Sequence, residues 1–157
     1  METLASASIA RHVTVRITTR QPLEFIDLTG RLESLVAQAA LRVGFMNVQS
    51  RHTTTAVIVN EHEPLLLDDF AALLERVSSG ATSYRHDDAS VRTVNVTPDE
   101  RVNGHAHCRA LLLGASVCLN VVDGRLELGR WQRVFLAELD GPREREISVM
   151  MVGEGGR

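Results

Sequence analysis

The sequence predicts an α+β fold: one domain built on a mostly antiparallel β-sheet or sandwich, with two main helices and one short one. Three observations lead there. Short stretches that alternate polar and apolar residues, or are rich in β-branched residues, recur along the chain. Two longer stretches place apolar side chains at helical spacing. Strands follow one another through turn signals such as Asp123-Gly124 rather than alternating strictly with helices.

In chain order, Val13, Val15 and Ile17 alternate with Thr14, Arg16 and Thr18 and mark a half-buried strand. Phe25 to Leu28 leads into a helix with Asp27 or Thr29 as N-cap. Its apolar face is Leu32, Leu35, Val36, Ala39, Ala40 and Val43, and Gly44 ends it. Phe45 to Gln49 and Thr54 to Val59 read as strands. After Pro64, Leu65 to Val77 forms the second helix, closed by Gly80. Ala81 to Val102 holds no period, which is the mark of a functional loop. His107 to Leu113 is the short helix, stopped at Gly114. Val117 to Val122, Arg125 to Leu128, Trp131 to Leu139 and Ile147 to Val152 complete the strands, with Gly141-Pro142 breaking the chain before the last.

With 157 residues, 44 per cent hydrophobic and 24 per cent charged, the chain has the profile of a single globular domain spanning residues 1–157. Met1 to Ala10 reads as a flexible or edge segment. Aromatics are 4 per cent, so Val, Leu, Ile and Ala must fill the core. A net charge of −3 argues against nucleic acid as partner. The opening residues lack the pattern of a secretory leader, and no apolar stretch approaches the roughly 20 residues a membrane span needs. Cys108 and Cys118 make no disulfide framework, and Cys108 reads as inert packing. The expected location is cytoplasmic.

Chemistry concentrates at segment edges. Asn103-Gly104-His105-Ala106-His107-Cys108 crowds an amide, two imidazoles and a thiol at the entrance of the short helix. Imidazole exchanges protons near neutral pH and is the commonest metal ligand. His105 and His107 diverge on any helix, so one of them enters a site. His52 lies at a strand start and Glu61 at the end of the same strand, while His86 shares the long loop with Asp87. His52, His86 and His107 could hold zinc or magnesium with one position open, and Glu61 could complete the shell or activate water. Arg130 and Gln132 share a strand face beside Trp131, and Arg143 and Arg145 share another, suited to phosphate or carboxylate.

Taken together, His52-Thr53-Thr54, Asn60-Glu61, Tyr84-Arg85-His86-Asp87-Asp88, Asn103-Gly104-His105-Ala106-His107, Leu112-Leu113-Gly114-Ala115-Ser116, Leu128-Gly129-Arg130-Trp131-Gln132 and Glu138-Leu139-Asp140-Gly141-Pro142-Arg143 follow the order of the YjbQ-like family, whose members are named secondary thiamine-phosphate synthases. The chain resembles that family from about Val13 to Glu154. The resemblance implies a homotrimer with a cleft near subunit boundaries. It also implies a transferase that joins hydroxymethylpyrimidine diphosphate to a thiazole phosphate and releases pyrophosphate, an activity that looks like a side reaction in these proteins. Carried over position by position, it marks His107, His52, Glu61, His86, Asn103, Ser116, Gln132 and Arg145 as recurrent polar positions, whereas His105 falls on a variable one. Asn120 replaces the usual Pro, and Asp87 adds a negative charge beside His86 that should favour cations over phosphate. On this reading the catalytic groups are His107, His86, His52 and Glu61, and Asn103, Ser116, Gln132, Arg145 and Arg130 bind substrate. The alternatives are a non-catalytic binder of a small phosphorylated metabolite and a metal-dependent hydrolase.

Overall fold

A computed structural model describes residues 7–155. Met1 to Ser6 of the expected N-terminal segment lie outside them, while Ala7 to Ala10 already belong to the first strand. The elements are β1 (Ala7–Thr18), β2 (Glu24–Asp27), α1 (Thr29–Ala39), β3 (Leu41–Ser50), β4 (Thr55–Glu61), α2 (Pro64–Val77), α3 (Gly104–Leu113), β5 (Ser116–Val122), β6 (Arg125–Leu126), β7 (Gln132–Glu138) and β8 (Glu144–Gly155), with a single 3-10 turn at Arg85–Asp87. The fold is a single α+β domain with antiparallel sheets and three helices, as the residue pattern indicates. Among the described residues, no helix is long and apolar enough to cross a membrane.

The strands form two sheets, ordered β1-β8-β3-β5-β6 and β2-β7-β4. Their inner faces meet in the main core, where Val15, Met46, Val48, Leu119, Ile147 and Val149 of the large sheet pack with Val57, Val134 and Leu136 of the small one. α1 closes this core with Leu28, Leu32 and Val36. The other face of the small sheet carries Ala56 and Ala137 against Leu74 of α2 and Ala106 of α3. With both faces covered, β7 is buried continuously from Val134 to Glu138 instead of alternating. Each fully buried Leu or Val here contributes roughly 1.5–3 kcal/mol.

Two sequence expectations shift. The first helix ends at Ala39, because Ala40 adopts a left-handed conformation (φ 50°) and turns the chain directly into β3. Leu41 to Gly44 is therefore strand, and Val43 is exposed. Phe25 to Asp27 pairs with β7 as strand rather than leading into the helix. The Asp27 carboxylate does serve the helix start, accepting the Thr29 N–H at 2.9 Å.

Candidate functional site

A cleft of about 460 Å³ opens where the start of β4, the start of β8, the N-terminus of α3 and the long loop converge. Its walls carry three imidazoles, His52, His86 and His107, and four guanidinium groups, Arg51, Arg92, Arg143 and Arg145. Asn103 and Thr54 lie between them, and Glu100 is the one carboxylate on the wall. The carboxylates that orient the other arginines stand behind the lining. Arg51 meets Glu146 at 2.5 Å, Arg143 meets Asp140 at 2.7 Å and Arg145 meets Glu138 at 2.6 Å. Ligands therefore meet the cationic side of each pair, which favours an anion.

Arg145 and Glu138 anchor the floor. Arg145 Nε and Nη2 donate to the two oxygens of Glu138 at 2.6 Å each, and Nη2 also reaches Thr54 Oγ1 at 3.2 Å. The carboxylate further accepts the Thr19 hydroxyl and the Leu139 and Asp140 N–H groups. Burial alone would raise the Glu138 pKa, but the bonds from Arg145, Asp140 and Thr19 outweigh it and hold the group below the ordinary carboxylate range.

The three histidines are not equivalent. The backbone N–H of Glu146 donates to His52 Nε2 at 2.8 Å, so the imidazole proton resides on Nδ1. Arg92 Nη1 lies 3.1 Å from His86 Nε2, and because a guanidinium only donates, that nitrogen is an acceptor too. His107 stands edge-on to His86, with ring centroids 4.5 Å apart. Neither of its ring nitrogens has a protein hydrogen-bond partner among the described residues. Desolvation, then His86 and Arg92, lower its pKa against the opposing pull of Asp140 and Glu100. His52 is lowered by desolvation and by Arg145, partly offset by Glu138 and Glu146. Of the three imidazoles, His107 alone keeps a basic lone pair free for a ligand.

This arrangement does not fit the expected zinc or magnesium centre. The Nε2 atoms of His52 and His86 are occupied, the second by a guanidinium that would repel a cation. Among the described residues, no three His, Cys, Asp or Glu side chains stand together to share an ion.

Asp87 also departs from its expected role. Its carboxylate accepts the N–H groups of Asn103 and Gly104 at 3.0 and 2.9 Å and so caps α3, whose first turn begins at Gly104 rather than His107. A Cβ on Gly104 would lie 2.5 Å from the Tyr84 Cβ, so only glycine lets the Tyr84–Asp87 segment dock here. Arg101 ties the far end of the long loop down by donating to the carbonyls of Asp140 and Gly141.

A sequence profile of the UPF0047 protein YjbQ-like family matches residues 13–154. The chain belongs to this family. It is 38% identical over 136 residues to a UPF0047 protein of Methanothermobacter thermautotrophicus, covering 87% of both chains. It is 37% identical over 131 residues to one of Archaeoglobus fulgidus, covering 83% of this chain and 93% of the relative. A YbjQ-like protein of unknown function from Sulfolobus solfataricus superposes with a TM-score of 0.84 at 31% identity, covering 94% of this chain and all 100% of the other. A hypothetical protein from Aeropyrum pernix gives 0.81 at 33%, over 92% and 99%.

Within this YjbQ-like chain, His52, His86, His107, Asn103 and Arg145 share one cleft. Glu61, Arg130 and Gln132 do not. They line a separate, shallower cleft of about 390 Å³ with Trp131. Glu61 pairs with Gln132 at the opposite end of the β4–β7 ladder from Thr55 and Glu138, roughly 20 Å away at ~3.3 Å per residue. Arg130 stacks over the Trp131 ring at 4.6 Å, and Gln132 accepts the Gly129 N–H. Ser116 pairs with Gln49 on the large sheet and lines neither cleft. His105 turns to Tyr84 instead, and Cys108 is exposed rather than packed. Sequence reasoning passed over Arg92 and Glu138. A carboxylate inside the apolar run Val134 to Leu139 was a usable signal, because a buried acid is almost always paired.

Proposed function

We propose that the chain is an enzyme acting on a small phosphorylated substrate, with the arginine-lined cleft holding the phosphoryl oxygens and His107 moving the proton. The observation that carries this reading is one free, neutral imidazole set among four arginines whose counter-charges mostly lie behind the wall. The specific form is a transferase of the secondary thiamine-phosphate synthase type. The bond from the pyrimidine methylene carbon to the diphosphate oxygen breaks, and a bond from that carbon to the thiazole nitrogen forms. Pyrophosphate leaves with the electron pair. Arg143, Arg51 and the free edge of Arg145 would stabilise that developing charge, and His107 can donate to the leaving oxygen through its N–H. A pyrophosphate-release assay with the two substrates in chelator-treated buffer tests this. Release dependent on both substrates supports the transferase. Pyrophosphate binding without turnover would make the protein a binder.

The reading includes a homotrimer, and the outer face of the large sheet supports one. Phe45 is flanked by Asn120 and Val152, and Asn47 by Cys118 and Met150. This face carries no charge through its centre, and Phe45 and Met150 are 43% and 39% exposed. Phe45→Glu is expected to convert the trimer to monomer in sedimentation experiments, leaving the helical circular dichroism unchanged. A monomeric wild type would refute the assembly.

A further inference from the structure

We propose that the second cleft, beside Trp131, binds a small zwitterion, an apolar α-amino acid, independently of the arginine-lined cleft. Side chains alternate along a strand, so Glu61 continues the row of Val57 and Val59, which face the main core, and Gln132 continues the row of Val134 and Leu136. Glu61 and Gln132 are direct partners in the β4–β7 ladder, which sets their side chains next to each other. The cleft is therefore the mouth of the sandwich, with Val59 as its apolar side. Its volume of about 390 Å³ lies within the roughly 300–1,000 Å³ of small-molecule sites.

Four groups there await a partner. Glu61 is partly buried, yet its carboxylate has no ion pair and no hydrogen-bond donor among the described residues. Arg130 lines the same cleft but does not neutralise Glu61. It lies over the Trp131 ring at 4.6 Å and meets no carboxylate among the described residues. Gln132 Oε1 accepts the Gly129 N–H at 2.8 Å, which fixes the amide orientation and leaves Nε2 as an open donor. The Trp131 ring is 59% exposed, a large apolar surface left uncovered at the cleft. A carboxylate and a guanidinium that share a cleft without pairing suit a ligand carrying both signs. Arg130 disfavours a simple cation and Glu61 a simple anion. An amino acid meets each group, with its ammonium on Glu61, its carboxylate on Arg130 and Gln132 Nε2, and its side chain against Trp131 and Val59.

Trp131 is the only tryptophan of the chain, so its fluorescence reports on this cleft alone. The test is a titration at neutral pH of leucine, of leucinamide, which lacks the negative charge, and of N-acetylleucine, which lacks the positive one. Leucine is expected to change the emission saturably and to bind about tenfold or more tightly than either analogue. Glu61→Gln should abolish the preference for leucine over N-acetylleucine. No saturable response to leucine, or equal affinity for all three in wild type, would overturn the inference without any variant having to fold. Either result leaves the phosphate reading standing, because the two clefts lie at opposite ends of the β4–β7 ladder.

Discussion

Replacing Glu138 by alanine is expected to cost the domain about 3–5 kcal/mol, a large share of the roughly 5–15 kcal/mol that holds such domains together. The substitution leaves the Arg145 guanidinium, 3% exposed, without its two-point partner and removes the acceptor of two backbone donors, the Leu139 and Asp140 N–H groups. Urea unfolding measures the loss. The double variant Glu138→Leu with Arg145→Met should be less damaged than the single one, because no unpaired charge remains inside. The pair also sets an acid sensitivity. Glu138 titrates lower in the fold than in the unfolded chain, so its stabilisation is complete above the unfolded value of about 4.3 and is lost as pH falls through the lower folded value. A Glu138→Ala protein as stable as wild type would show that the pair does not hold the site together.

His107→Ala is expected to lower turnover about 10²–10⁴-fold, the usual contribution of a positioned proton carrier, while pyrophosphate affinity changes little. The other two imidazoles cannot take its place, because their Nε2 lone pairs are occupied by the Glu146 N–H and the Arg92 guanidinium. His107→Gln keeps a hydrogen-bonding side chain but cannot carry a proton, and should fall as far as alanine. The pH profile gives an independent reading. Because desolvation and neighbouring positive groups depress the His107 pKa, the imidazolium that gives its proton to the leaving oxygen is lost below the ordinary value of about 6.5, and kcat/KM should begin to fall on its alkaline side below that pH. Unchanged turnover in both variants would remove His107 from the chemistry.

Much of this was legible in the residues. Strict alternation from Val13 to Thr18 located β1, and the apolar spacing of Leu32, Leu35 and Val36 located α1. The segment edges that carry His52, His86, Asn103 and His107 do converge, from strand, loop and helix starts, on one cleft. The large-sheet order was not legible. β8 lies between β1 and β3, a long-range pairing that local pattern does not encode. For the same reason Glu61 and Gln132 looked like partners of His107, although the register of β4 on β7 carries them to the far end of the ladder. Asp87 looked like a free charge beside His86 because its task, capping a helix that starts seventeen residues later at Gly104, exists only in the folded chain. The histidine tautomers were beyond sequence altogether, since a backbone N–H and an arginine decide them.

The most direct test of the phosphate cleft is a calorimetric titration of pyrophosphate into chelator-treated protein, wild type and Arg143→Ala. Saturable binding that survives the chelator and weakens about tenfold or more in the variant is the expected result. No binding, or binding that appears only with added metal, would contradict the account.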